Sequence, residues 1–154
     1  RGKIMKNNNN SENHTNSMEL IFDSKSENES FARVVVAAFC ARLDPTLEEN
    51  SDIKTAVSEA VTNCVVHGYE GGPGKIRLKC ILDENELTVE VHDDGVGIDD
   101  IGQAMEPMYT SKPQLERSGM GFSFMEAFMD ELEVKSGKHC GTTVTMKKRI
   151  GVNN

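Results

Sequence analysis

Lys75-Ile76-Arg77-Leu78-Lys79-Cys80-Ile81-Leu82, then Asp83-Glu84-Asn85, then Glu86-Leu87-Thr88-Val89-Glu90-Val91-His92: two alternating runs joined by three polar residues decide how this chain folds. Ile76, Leu78 and Cys80 fall on one side of the first run, and Leu87, Val89 and Val91 on one side of the second. Each run therefore presents one apolar face, and the short polar link makes the pair a β-hairpin.

Working upstream, Glu70-Gly71-Gly72-Pro73-Gly74 is a loop. Before it the spacing predicts a helix that starts with Asp44 as N-cap and Pro45 as first residue, runs to about His67 and stops at Gly68. Ser26 and Glu29 have capping-box spacing and open an earlier helix carrying Phe31, Val34, Val35, Ala38 and Phe39. That helix is apolar on most sides, as expected of one buried in its own core or against a second chain. Met18 to Asp23 reads as a first strand. Downstream, residues 94–121 hold five glycines and two prolines, a connection long enough to be a functional lid, with one short helix. Phe122, Met125, Phe128 and Leu132 mark a further amphipathic helix, and Glu133–Ser136 with Thr142–Arg149 form a closing hairpin. Hairpins grouped apart from helices imply an α+β protein, a two-layer α/β sandwich. Its sheet is expected to be mixed but mainly antiparallel, with helices on one face, and not doubly wound.

The chain has 154 residues, 37% of them apolar, enough for one real core and one domain, expected over residues 18–150. Its 17 Lys+Arg stand against 25 Asp+Glu, a net charge of −8 that repels phosphate backbones and disfavours direct nucleic-acid binding. No apolar run approaches the roughly 18 residues of a membrane span. The cysteines at 40, 64, 80 and 140 show no CxxC spacing, which argues against zinc. Three lie in apolar patterns, as small hydrophobes do, and a reducing cytoplasm is the expected compartment. Residues 1–17 are expected to be a disordered lead-in, rich in asparagine, with the four residues before Met5 cloning-derived.

Three constellations carry chemistry. Glu59, Asn63 and His67 recur at steps of four and form a slanted ridge along the margin of the helix's apolar stripe. A carboxylate and an amide so placed are suited to hold a hard cation and orient a proton acceptor. Taken alone, the set reads more readily as a surface Glu, a solvated Asn and a packed His. Asp93-Asp94-Gly95-Val96-Gly97 follows a strand. A strand-end carboxylate accepts hydrogen bonds from an exocyclic amine, and the glycines allow close backbone approach. Ser118-Gly119-Met120-Gly121-Phe122 opens a helix, a ready anion site, with Thr110-Ser111-Lys112 and Arg117 before it. The Walker and dinucleotide glycine patterns are absent. Metal, base and phosphates of one nucleotide are thus accounted for in order.

In that order the motifs resemble the GHKL, or Bergerat-fold, superfamily of ATPases and kinases, over about residues 18–149. Glu59-Asn63-His67 resembles its N box, Asp93-x-Gly95-x-Gly97 its G1 box, Gly119-x-Gly121 its G2 box and Gly141-Thr142-Thr143 its late Gly-Thr element. Asn28 to Val34, Ser58 to Asn63 and Glu116 to Phe122 are similar to the sporulation anti-sigma F branch, whose members are serine-protein kinases, and Thr110-Ser111-Lys112-Pro113 to its short lid. The resemblance implies a cytoplasmic homodimer that withholds a sigma F type factor from RNA polymerase. It also implies MgATP-dependent phosphorylation of a serine on an anti-anti-sigma protein. Carried over by position, Glu59 is the general base and Asn63 the Mg²⁺ ligand. Asp93 reads the adenine amine, Gly95 and Gly97 shape the base pocket, and Thr142 or Thr143 supports Asp93. Thr110, Ser111 and Lys112 in the lid (residues 99–118), with Ser118, Gly119, Met120, Gly121 and Phe122, hold the phosphates. His67 is left between lid or phosphate support and packing. Arg33 is the expected partner contact.

Two rival readings fit the motifs less well. An isolated histidine-kinase catalytic domain normally follows a phosphoacceptor helix pair, and the polar lead-in offers none. A nucleotide-gated anti-sigma module without phosphotransfer has no need of a base such as Glu59.

Overall fold

The computed structural model describes residues 15–106 and 121–151. Its elements follow in the order β1 (Thr15–Asp23), α1 (Asn28–Cys40), α2 (Leu47–Asn63), β2 (Lys75–Asp83), β3 (Glu86–Asp93), α3 (Ile101–Ala104), α4 (Gly121–Phe128), β4 (Glu131–Ser136) and β5 (Thr142–Arg149). The five strands form one sheet in the order β1-β2-β3-β5-β4, with every neighbouring pair antiparallel. The expected α+β sandwich is present, and its sheet is antiparallel throughout where a mixed one was expected.

The alternation quoted above is what makes the layers. Ile76, Leu78, Cys80 and Leu82 of β2, and Leu87, Val89 and Val91 of β3, are fully buried beneath α1, α2 and α4. Burial of each such side chain contributes roughly 1.5–3 kcal/mol, so this face holds the fold together. The opposite face is polar and carries ion pairs such as Glu19–Arg77 at 3.2 Å and Glu86–Lys147 at 3.9 Å. Exposed pairs of this kind add little stability but keep the face soluble. β1 starts at Thr15, so the lead-in expected to reach residue 17 gives its last three residues to the sheet, paired with Ile81, Leu82 and Asp83.

Helix ends differ from expectation in four places. α1 has no side-chain cap; the residue before it, Glu27, already has helical angles, so Ser26 and Glu29 form no capping box. α2 starts two residues after Pro45. Thr46 is its N-cap, accepting from the Glu49 N–H at 3.1 Å while the Glu49 carboxylate accepts from the Thr46 N–H at 2.9 Å. Asp44 instead takes a left-handed φ of 51° and closes the 3-10 turn Ala41–Leu43 after α1. α4 ends at Phe128, so Leu132 belongs to β4. At its other end α2 does not simply stop at Gly68: after Asn63 it widens into a π turn, Cys64–Gly68, closed by the Tyr69 N–H on the Cys64 carbonyl at 2.8 Å.

Candidate nucleotide site

The stripe of α2 is buried as its periodicity demands: Ile53, Ala56, Val57, Ala60, Val61 and Cys64 are all in the core. Glu59, Asn63 and His67 lie half-buried at its margin, His67 within the π turn. The first two converge on the start of α4. A methyl group at Gly121 would stand 3.0 Å from Asn63 Oδ1 and 3.3 Å from Glu59 Oε2, so glycine there leaves a small space walled by an amide and a carboxylate. Such hard oxygens fit Mg²⁺, which takes few protein ligands and keeps waters and phosphate oxygens. Among the described residues, no group of three or more His, Cys, Asp or Glu side chains is placed to hold a metal ion.

Asp93 ends β3 and is buried, 2% exposed. Its Oδ1 accepts the Gly95 N–H at 2.9 Å, and the Cys64 thiol donates to the same carboxylate. Burial pushes the Asp93 carboxyl above the ordinary carboxylate range, opposed by those two hydrogen bonds. The Cys64 thiol is pushed well up, first by burial and then by the Asp93 charge.

Around Asp93 the chain packs backbone on backbone. A methyl at Gly95 would stand 2.0 Å from the Gly68 carbonyl oxygen, which accepts the Val96 N–H at 2.9 Å. Gly97, at φ +77°, lies so close to the β4–β5 turn that a methyl would meet the Gly137 oxygen at 1.8 Å; only glycine meets both demands. The same turn is tied back by the His139 N–H on the Val96 carbonyl at 2.7 Å.

The two threonines separate by strand alternation. Thr142 pairs with Asp93 and is buried on its side of the sheet, its hydroxyl 2.8 Å from Ser136 Oγ. Thr143 points to the other face, where its hydroxyl lies 2.8 Å from His92 Nδ1. His92 Nε2 in turn lies 2.8 Å from Asp94 Oδ1. Phe122 puts its side chain into the core. Thr110, Ser111, Lys112, Ser118, Gly119 and Met120 lie outside the described residues. Arg33, on α1, is 3.4 Å from both Glu29 Oε1 and Ser58 Oγ. It lines a groove of about 580 Å³ with Asn50, Lys54, Thr55, Ser58 and Glu59.

Known proteins resemble this chain along most of its length. The histidine kinase-like ATPase domain family matches residues 22–148. An anti-sigma F factor of Clostridium acetobutylicum is 58% identical over 137 residues, covering 89% of this chain and 96% of that one. Another, from Thermoanaerobacter sp., is 60% identical over 138 residues, covering 90% and 96%. The chain belongs to the anti-sigma F factor family. The fold is also similar to part of a structure of the RsbU and RsbW domains of a Mycobacterium tuberculosis protein, with TM-score 0.62 at 20% identity over 88% of this chain and 32% of that one.

Several residues around this site gave little or no signal in the sequence. Cys64 read only as a core position, yet its thiol reaches Asp93. Ser136 accepts the Ile98 N–H at 2.7 Å and donates to the Gly141 carbonyl at 2.8 Å, joining the G1 loop to the late Gly-Thr element. Tyr69, just past the π turn, bonds the Asp94 N–H. Gly74 was the one available clue to Tyr69, since a ring needs a side-chain-free surface to lie against, and a methyl there would stand 2.4 Å from the Tyr69 ring.

Proposed function

We propose that this protein binds a sporulation sigma factor of the sigma F type, withholding it from RNA polymerase, and phosphorylates a serine of its anti-anti-sigma antagonist with MgATP. The observation that carries the reading is the convergence of Glu59 and Asn63 on Gly121 at the start of α4. A helix N-terminus favours phosphate, and a carboxylate beside it has no use in binding an anion; it has one in taking a proton from an attacking hydroxyl. Phosphoryl transfer asks mainly for positioning and charge neutralisation.

In this reading Asp93 accepts from the adenine amine, with Gly95 and Gly97 admitting the base and Thr142 backing the carboxylate through the strand pair. Asn63 holds Mg²⁺, which when bound neutralises phosphate charge. Lid residues Thr110, Ser111 and Lys112, with Ser118 to Phe122, hold the phosphates, and His67 supports them. Glu59 orients or deprotonates the substrate serine, which approaches along the groove from Arg33, the partner-contact residue. The protein works in the cytoplasm as a homodimer; among the described residues no helix is long and apolar enough to cross a membrane. Exposed Phe31 and Val34 on α1 supply an apolar surface for the second copy.

The test mixes the purified protein with γ-labelled MgATP and a candidate anti-anti-sigma protein, then maps the labelled residue. Label is expected on a partner serine. Glu59→Gln should reduce transfer by at least about 10²-fold while leaving ATP affinity near wild type. Transfer at the wild-type rate in that variant would remove Glu59 from the chemistry. ATP binding without any transfer would leave a nucleotide-gated anti-sigma module.

A further inference from the structure

The residue that follows the π turn is placed to control how the nucleotide base is read. The Tyr69 hydroxyl accepts the Asp94 N–H at 2.8 Å and donates to the Lys75 carbonyl at 2.5 Å. Its ring covers Gly74, where a methyl would stand 2.4–2.5 Å from three ring carbons. One residue earlier, the Gly68 carbonyl accepts the Val96 N–H at 2.9 Å, and the Gly68 α-carbon presses against the Asp93 carboxyl, where a methyl would stand 2.7 Å from Oδ1. Gly68 and Tyr69 therefore grip the turn Asp93 to Val96 at two points, Asp94 and Val96, on either side of the Gly95 N–H that holds Asp93 Oδ1. Both grips originate from the end of the helix that carries Glu59 and Asn63.

We propose that Tyr69 is a positioning residue for base selection: its hydroxyl fixes the Asp94 peptide and so aims the Asp93 carboxylate at the exocyclic amine of adenine. This rests on the reading of Asp93 as the adenine acceptor. The hydroxyl acts by geometry alone. Without it, the Asp93–Gly95 turn keeps its Gly68 anchor but loses the constraint on its first peptide, and the carboxylate samples orientations that no longer meet the amine.

The test compares binding of MgATP with binding of inosine triphosphate and Mg²⁺, in wild type and Tyr69→Phe, by titration calorimetry. Inosine replaces the amine with a carbonyl, which a carboxylate repels. Wild type should prefer ATP, and Tyr69→Phe should cut that preference about three- to tenfold, the worth of one hydrogen bond, with inosine triphosphate affinity nearly unchanged. Gly74→Ala, which drives a methyl into the ring from the other side, should reproduce the loss; a thermal melt of each variant establishes that it is folded. Equal weakening of both nucleotides, or an unchanged preference, would reduce Tyr69 to packing and overturn the inference. A wild type with no preference for ATP would overturn the reading of Asp93 itself, and the inference with it.

Discussion

Asp93 is a buried carboxylate, and on the proposed reading its two roles pull in opposite directions with pH. Burial raises its pKa in the folded chain, so its contribution to stability is fully present below the unfolded pKa and is lost as pH rises through the folded one. Accepting from an amine needs the charged form, so ATP affinity falls as pH drops through the same window. Mild acidification should therefore weaken ATP binding while favouring the empty fold. Measured against Asp93→Asn, which cancels the titration of ATP itself, the pH dependence of both quantities should flatten in the variant; parallel profiles would assign the effect elsewhere. At this scale the sequence was legible wherever a residue's place follows from its own neighbours, as for Asp93 at the end of a strand and before two glycines. It was silent where the role lies in a partner far along the chain. Thr142 and Thr143 were indistinguishable as letters, and only the pairing of Asp93 with Thr142 puts one on the carboxylate's side and the other on His92. Tyr69 and Ser136 act through backbone groups about 25 and 38 residues away, which no local pattern encodes.

Elements were legible through periodicity, because burial enforces it over many residues, whereas their ends depend on one or two hydrogen bonds. The buried stripe of α2 and the alternation of β2 and β3 appear as read, yet three helix boundaries moved. Asp44-Pro45 has the composition of a helix start, but the rarer reciprocal pair Thr46 and Glu49 outcompetes it. Thr46→Ala removes that pair's hydroxyl and should cost about 1 kcal/mol, lowering the melting temperature by roughly 2–4 °C. Asp44→Gly, which suits the left-handed φ there, should cost no such capping energy, since the Asp44 side chain caps nothing at α2. Urea unfolding of the two variants separates them; equal losses would return the helix start to Asp44. The π turn is the element that sequence could not offer, because widening a helix by one residue per turn leaves its apolar spacing almost intact. It is also the element that lets Gly68 and Tyr69 reach the G1 loop.

The whole molecule is one-sided: helices cover one face of a five-stranded sheet and charged pairs cover the other. Against that pattern α1 is unusual, with Phe31 at 50% and Val34 at 60% exposure despite a neighbouring core. On the homodimer reading, Val34→Asp should weaken self-association at least about tenfold in light scattering, while its melting temperature stays close to wild type, as for other surface changes. Unaltered association would place the dimer contact elsewhere. The sheet order also has a consequence for how this architecture can vary. β3 and β5 are neighbours, closed by the Asp93–Thr142 pair, although α3, α4 and β4 lie between them in the chain. Closure entropy grows only with the logarithm of length, so doubling a flexible stretch of that span costs about 0.6 kcal/mol. Descendants of this fold are thus free to lengthen, shorten or rewrite the connection between β3 and α4, while an insertion among Gly68, Gly95 and Gly137, where main chain already touches main chain, has no room to be absorbed.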